Sequence, residues 1–221
     1  MTEIVVSKKV EDVNKCEFVG IMIGRKESTR CLTVYFRCMT RQGAKSFNNS
    51  LMLLSFDPQL NVKASAIPLR TKVRVTGYVT SSRKKAETST NVQETTEDTK
   101  NTQRQTARGY EDLEQNFVFT NIETVDSETP DVNQVEIVGT VNRAFVSRSG
   151  NINFIINTVR ENRYFKTIHC VAFPKEEINY ISMMAAGTKI WIHAHCSVRS
   201  VNNENEAKYI ETLIIDESTR V

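Results

Sequence analysis

The chain has 221 residues, 29 Lys/Arg against 26 Asp/Glu and a formal net charge of +3, with 39% hydrophobic and 25% charged residues. That balance does not mark a polyanion binder by charge alone. No apolar run reaches the roughly 18–20 residues of a membrane helix, and the opening MTEIVVSKKVEDVN lacks a secretory apolar segment. Five cysteines without a CxxC pair fit reduced thiols in a cytoplasmic protein better than a disulfide framework. The charge is uneven: residues 1–125 hold 19 Lys/Arg against 14 Asp/Glu, and residues 126–221 hold 10 against 12.

In chain order, the first dozen residues read as a free tail or an extra strand through Ile4–Val6. Strands are predicted near Cys16–Lys26, Cys31–Thr40 and Ser50–Asp57. In the second of these, Leu32, Val34 and Phe36 share one side, and Thr33, Tyr35 and Arg37 share the other, the period of a half-buried strand. The connector from Pro58 to Pro68 allows a turn of helix or none. A fourth strand spans Lys72–Ser81. Residues 82–109 are so rich in Ser, Thr, Asn, Gln, Lys and Glu that they have little to bury, and they read as a disordered loop. A fifth strand covers Asn116–Val125, and residues 126–134 form a linker.

From residue 135 the order repeats. Val135, Ile137 and Val141 alternate with polar neighbours, Arg148-Ser149-Gly150-Asn151 makes a turn, and Ile152, Phe154 and Ile156 point inward from a second strand. Tyr164–Phe173 is a third strand, with Ile168, Cys170 and Ala172 opposite Phe165, Thr167, His169, Val171 and Phe173. Lys175–Ala186 spaces Ile178, Ile181 and Met184 as a helix stopped by Gly187, and strands follow at Thr188–Arg199 and Lys208–Ile215. Cys16–Gly20 returns as Val135–Gly139 at an offset of 119, and Thr71–Gly77 returns as Thr188–Ala194 at an offset of 117. So long a period implies a duplicated unit with its own core rather than a solenoid. Three strands, a helix and two strands is the order of the OB-fold. The predicted architecture is mainly β: two tandem five-stranded OB-fold barrels, residues 1–125 and 135–221, each with at most one short helix.

The second copy resembles the bacterial single-stranded-DNA-binding protein family along nearly all of residues 133–216, and the first copy resembles it more loosely over 14–125. Asn133–Gly139 is similar to that family's Asn-x-Val-x-Leu-x-Gly strand, and Asn153–Thr158 to its Asn-Phe-x-Leu-Ala-Thr strand. Cys170–Phe173 is similar to the apolar run and aromatic that close its third strand, and Ala186–Ala194 to its Lys-Gly-Ser-x-Val-x-Val-x-Gly strand. The resemblance implies that Phe56 and Phe173 stack bases, with Phe165 a further stacking ring. It also implies that Trp191 and His193, on the outer face of the fourth strand, meet another protomer in a homodimer. The family ends in an acidic recruitment tail, whereas this chain stops at Val221 close to its last strand, so recruitment of replication proteins by a tail is not expected.

Read from the residues, the outward sides of the second and third strands carry Tyr35 and Arg37 in copy one and Phe165 and Phe173 in copy two, and flat rings there suit sequence-tolerant stacking. Phe56 and Phe173 have a second reading as caps of the barrel bottom. Phe154 belongs to the core. Arg83, Lys84 and Lys85 open the long loop at the groove mouth. Arg143, Arg148, Arg160, Arg163 and Lys166 sit at strand ends of copy two, and Arg199 near the end of its fourth strand. All are candidate phosphate contacts or plain solvated charges. His193, His195 and Cys196 make only half of a zinc ligand set, so neither metal nor cofactor is predicted. No phosphate loop, nucleophile elbow or carboxylate cluster points to an enzyme. The expected function is sequence-independent single-stranded DNA binding in replication or recombination, of a kind that suits a phage or mobile element. The alternative is an OB-fold adaptor that docks a replication or recombination protein and scarcely touches nucleic acid.

Overall fold

The computed structural model describes residues 10–42, 45–83, 113–160, 164–175, 178–203 and 206–221. The first copy contains β1 (Val13–Glu27), β2 (Leu32–Gln42), β3 (Lys45–Ser55), helix α1 (Pro58–Ala66), β4 (Lys72–Arg83) and β5 (Leu113–Thr124). The second contains β6 (Val132–Val146), β7 (Ile152–Arg160), β8 (Tyr164–Ala172), β9 (Lys189–Asn203) and β10 (Glu206–Arg220). All ten strands join one sheet in the order β2-β3-β5-β4-β1-β6-β7-β8-β10-β9. Extra β1–β2 and β6–β9 ladders close each half on itself, and a short parallel contact in each (Leu53 with Phe117, Cys170 with Leu213) completes the ring. These are two five-stranded OB barrels in tandem.

Strand parity explains the cores. Leu32, Val34, Phe36, Leu51 and Leu53 bury their side chains in the first barrel beside Phe18 and Phe117, whose rings meet edge to face at 5.1 Å. Ile137, Phe154, Ile156, Ile168 and Cys170 do so in the second. The buried side chains of both copies form one continuous cluster. Burial pushes the Cys38 thiol up to about 12 and raises those of Cys16, Cys170 and Cys196 well above the usual thiol range, so these four behave as small apolar groups.

The barrels are joined by an antiparallel β1–β6 ladder running from Val13 opposite Val138 to Val19 opposite Val132. It is symmetric about the Cys16–Val135 pair, so exchanging the copies maps the ladder onto itself. Side chains repeat the symmetry. Asn14 pairs its amide with Val79 N and O (2.9 and 2.8 Å), and Asn133 does the same with Cys196 N and O (2.9 and 2.8 Å). Asp12 accepts from Val159 N and Lys189 of the second copy, while Asp131 accepts from Met39 N and Lys72 of the first. The later hairpins cross as well: Gln115 Oε1 accepts from His169 N at 2.8 Å, and Glu211 Oε1 accepts from Met52 N at 2.9 Å.

The helices fall opposite to expectation. In the first copy, Asp57 accepts from Gln59 N and Leu60 N, Pro58 opens the helix with no amide to lose, and Leu60 and Ala64 are buried, so a nine-residue α1 forms. Among the described residues of the stretch Lys175–Ala186, where a helix is expected, the structure has a 3₁₀ turn at Ile181–Met183 whose N-cap, Tyr180, makes no side-chain cap bond. Helical spacing was present there, yet the cap on view, Asn179 Oδ1 accepting from Ser182 N at 3.3 Å, lies inside the stretch and opens only a single turn. β6 opens at Val132, so the last three residues of the stretch read as linker are strand. The tail through Ile4–Val6 and the loop from Lys84 to residue 109 lie outside the described residues.

Candidate nucleic-acid interface

On the first barrel, Tyr35 lies outward between Gly24 of β1 and Met52 of β3. A Cβ on Gly24 would stand 3.4 Å from Tyr35 Cδ2, so the phenol packs against a residue that keeps the strand surface low. Tyr35 is 39% exposed and Arg37, two residues on, is also exposed. Phe56 follows the end of β3 and is 56% exposed. Its backbone is fixed from both sides, because Ser55 Oγ accepts from Asp57 N at 3.3 Å and Asp57 in turn caps α1. The reading of Phe56 as a barrel cap fails on that exposure.

On the second barrel Phe173, just past β8, is 40% exposed. Arg143 and Arg148 are exposed near the β6–β7 turn. That turn closes through Ser147 N to Asn151 O (2.8 Å) and Gly150 N to Ser147 O (2.9 Å), with Gly150 at φ +82°, a conformation that costs glycine no Cβ clash. The Arg143 guanidinium sits 5.3 Å from the centroid of the Phe145 ring, a cation–π pair. Phe145 was not anticipated. A bulge between Val141 and Arg143 shifts the strand's parity, which a regular alternation cannot reveal.

Arg160, Phe165 and Lys166 are placed by backbone alone at the far end of the β7–β8 ladder, where Thr158 faces Lys166 and Val159 faces Phe165. β7 has nine residues, so at about 3.3 Å per residue its two ends stand roughly 26 Å apart. Among the described basic residues of copy two, Arg148 and the pair Arg160 and Lys166 therefore fall at the two opposite ends of β7 rather than in one cluster. Arg83 and Arg199 are likewise placed by backbone alone on β4 and β9, and Lys84, Lys85 and Arg163 lie outside the described residues.

The outer face of β4-β1-β6-β9 carries the other predicted set. Trp191 Nε1 donates to Glu136 Oε1 at 3.0 Å, and the Trp191 and His193 rings stack with centroids 6.3 Å apart and 16° between planes. They line a groove of about 560 Å³ with Lys15, Glu17, Gln134 and Glu136. His195, which sequence placed beside them as half of a metal set, is buried and bonded through Nδ1 to both oxygens of Asp216 at 2.9 Å. Among the described residues no three His, Cys, Asp or Glu side chains gather around a metal position, and no helix is long and apolar enough to cross a membrane.

No protein-family model and no curated protein matches the sequence. Solved structures do. The wild-type single-stranded DNA binding protein from Thermus aquaticus superposes with a TM-score of 0.64 at 11% identity, over 96% of this chain and 94% of that one. A deletion mutant of the same protein gives 0.63 at 9% identity, over 96% and 95%. The two chains share one fold. It is a tandem OB-fold, matched end to end, and the likeness at such low identity lies in the backbone path rather than in the side chains.

Proposed function

We propose that the chain binds single-stranded DNA without sequence preference, in replication or recombination, by stacking bases on Tyr35, Phe56 and Phe173 and holding phosphates with the exposed Arg37, Arg143 and Arg148. The carrying observation is the solvent exposure of these three rings, at 39%, 56% and 40%, on or beside the strand faces that serve as the ligand groove of OB barrels. A stacked base is worth about 1–3 kcal/mol and any base serves. Homodimerisation through the Trp191/His193 face belongs to the same reading: an aromatic pair flanking a shallow groove is the kind of anchor that interfaces use.

The test is fluorescence anisotropy of a labelled oligothymidine across a salt series. Trp191 lies on the outer β9 face, so its own emission is a poor reporter of the groove. Tight binding with a negative salt slope supports the proposal. A flat titration at low salt would transfer the case to the protein-docking adaptor, which the net acidic second half favours.

A further inference from the structure

The two copies occupy equivalent places in the duplicated fold, yet the middles of their candidate faces differ. Tyr35 lies between Gly24 and Met52 in the ladders; its counterpart is Ile155, between Arg143 and His169. Tyr35 is 39% exposed and Ile155 is 5% exposed. The neighbours follow suit. Thr33 is replaced by Asn153, which is 8% exposed and bonded to His169 Nε2 at 2.9 Å. Exposed Arg37 is replaced by half-buried Asn157, whose Oδ1 accepts from Thr167 Oγ1 at 3.2 Å. Phe56 is more open than Phe173.

From these contrasts we infer that the two barrels divide the work, with the first, through Tyr35 on Gly24 and with Phe56 and Arg37, forming the principal platform for unpaired bases, and the second a subsidiary one. This rests on the single-stranded-DNA reading above. The described middle of the second face is closed by its own side chains: the Asn153–His169 and Asn157–Thr167 pairs already use the polar groups that a base edge would need. His169 is also pinned through its backbone by Gln115 of the first copy. Burial lowers the imidazole's proton affinity, so it supplies no standing cation for a phosphate. Arg143 shares its guanidinium with Phe145. Charge points the same way, since residues 1–125 carry a net +5 and residues 126–221 a net −2.

The experiment compares Tyr35→Ala, Tyr35→Phe and Phe173→Ala in the full-length chain by oligothymidine anisotropy, with thermal melts confirming that each folds. Tyr35→Ala is expected to lose about 5- to 150-fold in affinity, the range of one stacked base. Tyr35→Phe should restore most of it, and Phe173→Ala should lose clearly less than Tyr35→Ala. Photocrosslinking to a bromodeoxyuridine oligomer should mark a peptide containing Tyr35 before any from residues 135–221. Tight wild-type binding with Phe173→Ala as damaging as Tyr35→Ala, or first crosslinks in the second barrel, overturns the division of work alone. A wild-type chain that does not bind overturns the DNA reading, and this inference with it.

Discussion

Replacing Glu211 by glutamine should make the protein more stable in alkaline solution and remove a pH dependence. Glu211 reaches from β10 into the first copy, where its Oε1 accepts from Met52 N at 2.9 Å. Burial, and secondarily the negative charge of Glu114, push its carboxyl from the usual 4.5 up to about 7, against the pull of the Met52 amide. The mirror position in the repeat is Gln115, which makes the same bond to His169 N with an uncharged oxygen. The folded chain thus holds an extra proton between pH 4.5 and about 7 that the unfolded chain has lost. Stability from this group is full below pH 4.5, drains away as pH rises through about 7, and is flat above. At 1.36 kcal/mol per unit, a rise from 4.5 to about 7 corresponds to at most ~3 kcal/mol. Urea denaturation followed by the emission of Trp191, the sole tryptophan, should show wild type and Glu211→Gln alike near pH 4.5 and the variant ahead by up to ~3 kcal/mol at pH 8. Parallel pH profiles for the two proteins, or a variant less stable at pH 8, would refute the reasoning.

Two further substitutions test the architecture. Asn133→Ala removes the bonds to Cys196 N and O and to Thr40 Oγ1 and strands buried backbone groups, so chemical denaturation should show a loss of about 2–4 kcal/mol; a loss below 1 kcal/mol would contradict the role given to that amide. Trp191→Glu places a charge beside Glu136 on the outer face and, on the proposed homodimer, should lower the mass in light scattering below that of the wild type with the fold intact; an unchanged mass would remove Trp191 from any self-association.

Alternation was enough to find the barrels, because Leu32, Val34 and Phe36, or Ile152, Phe154 and Ile156, can satisfy a period of two in one way only once a face is buried. Tyr35 and Arg37 were legible for the same reason. What escaped is what parity does not encode. Phe145 is turned outward by a bulge, and the α1 helix depends on a single Asp-Pro cap set among turn-forming residues. The cross-copy bonds of Asp12, Asp131, Gln115 and Glu211 depend on how two barrels meet. A trace of that meeting was on view: Asn14-x-x-Glu17-x-Val19-Gly20 and Asn133-x-x-Glu136-x-Val138-Gly139 keep their polar members at the common 119-residue offset. Asn14 and Asn133 spend those amides on Val79 and Cys196 of their own copies, and Asn133 also reaches Thr40 of the other copy, so a repeated polar residue marks the seam only in part.

The antiparallel β1–β6 seam has a geometric corollary. A half-turn about the Cys16–Val135 pair sends each copy's second and third strands onto those of the other, heading the opposite way. A polynucleotide read in one chemical sense by both platforms cannot pass straight from one to the other. It has to double back, and the length of the bend, more than the width of either platform, sets the shortest oligomer able to occupy both.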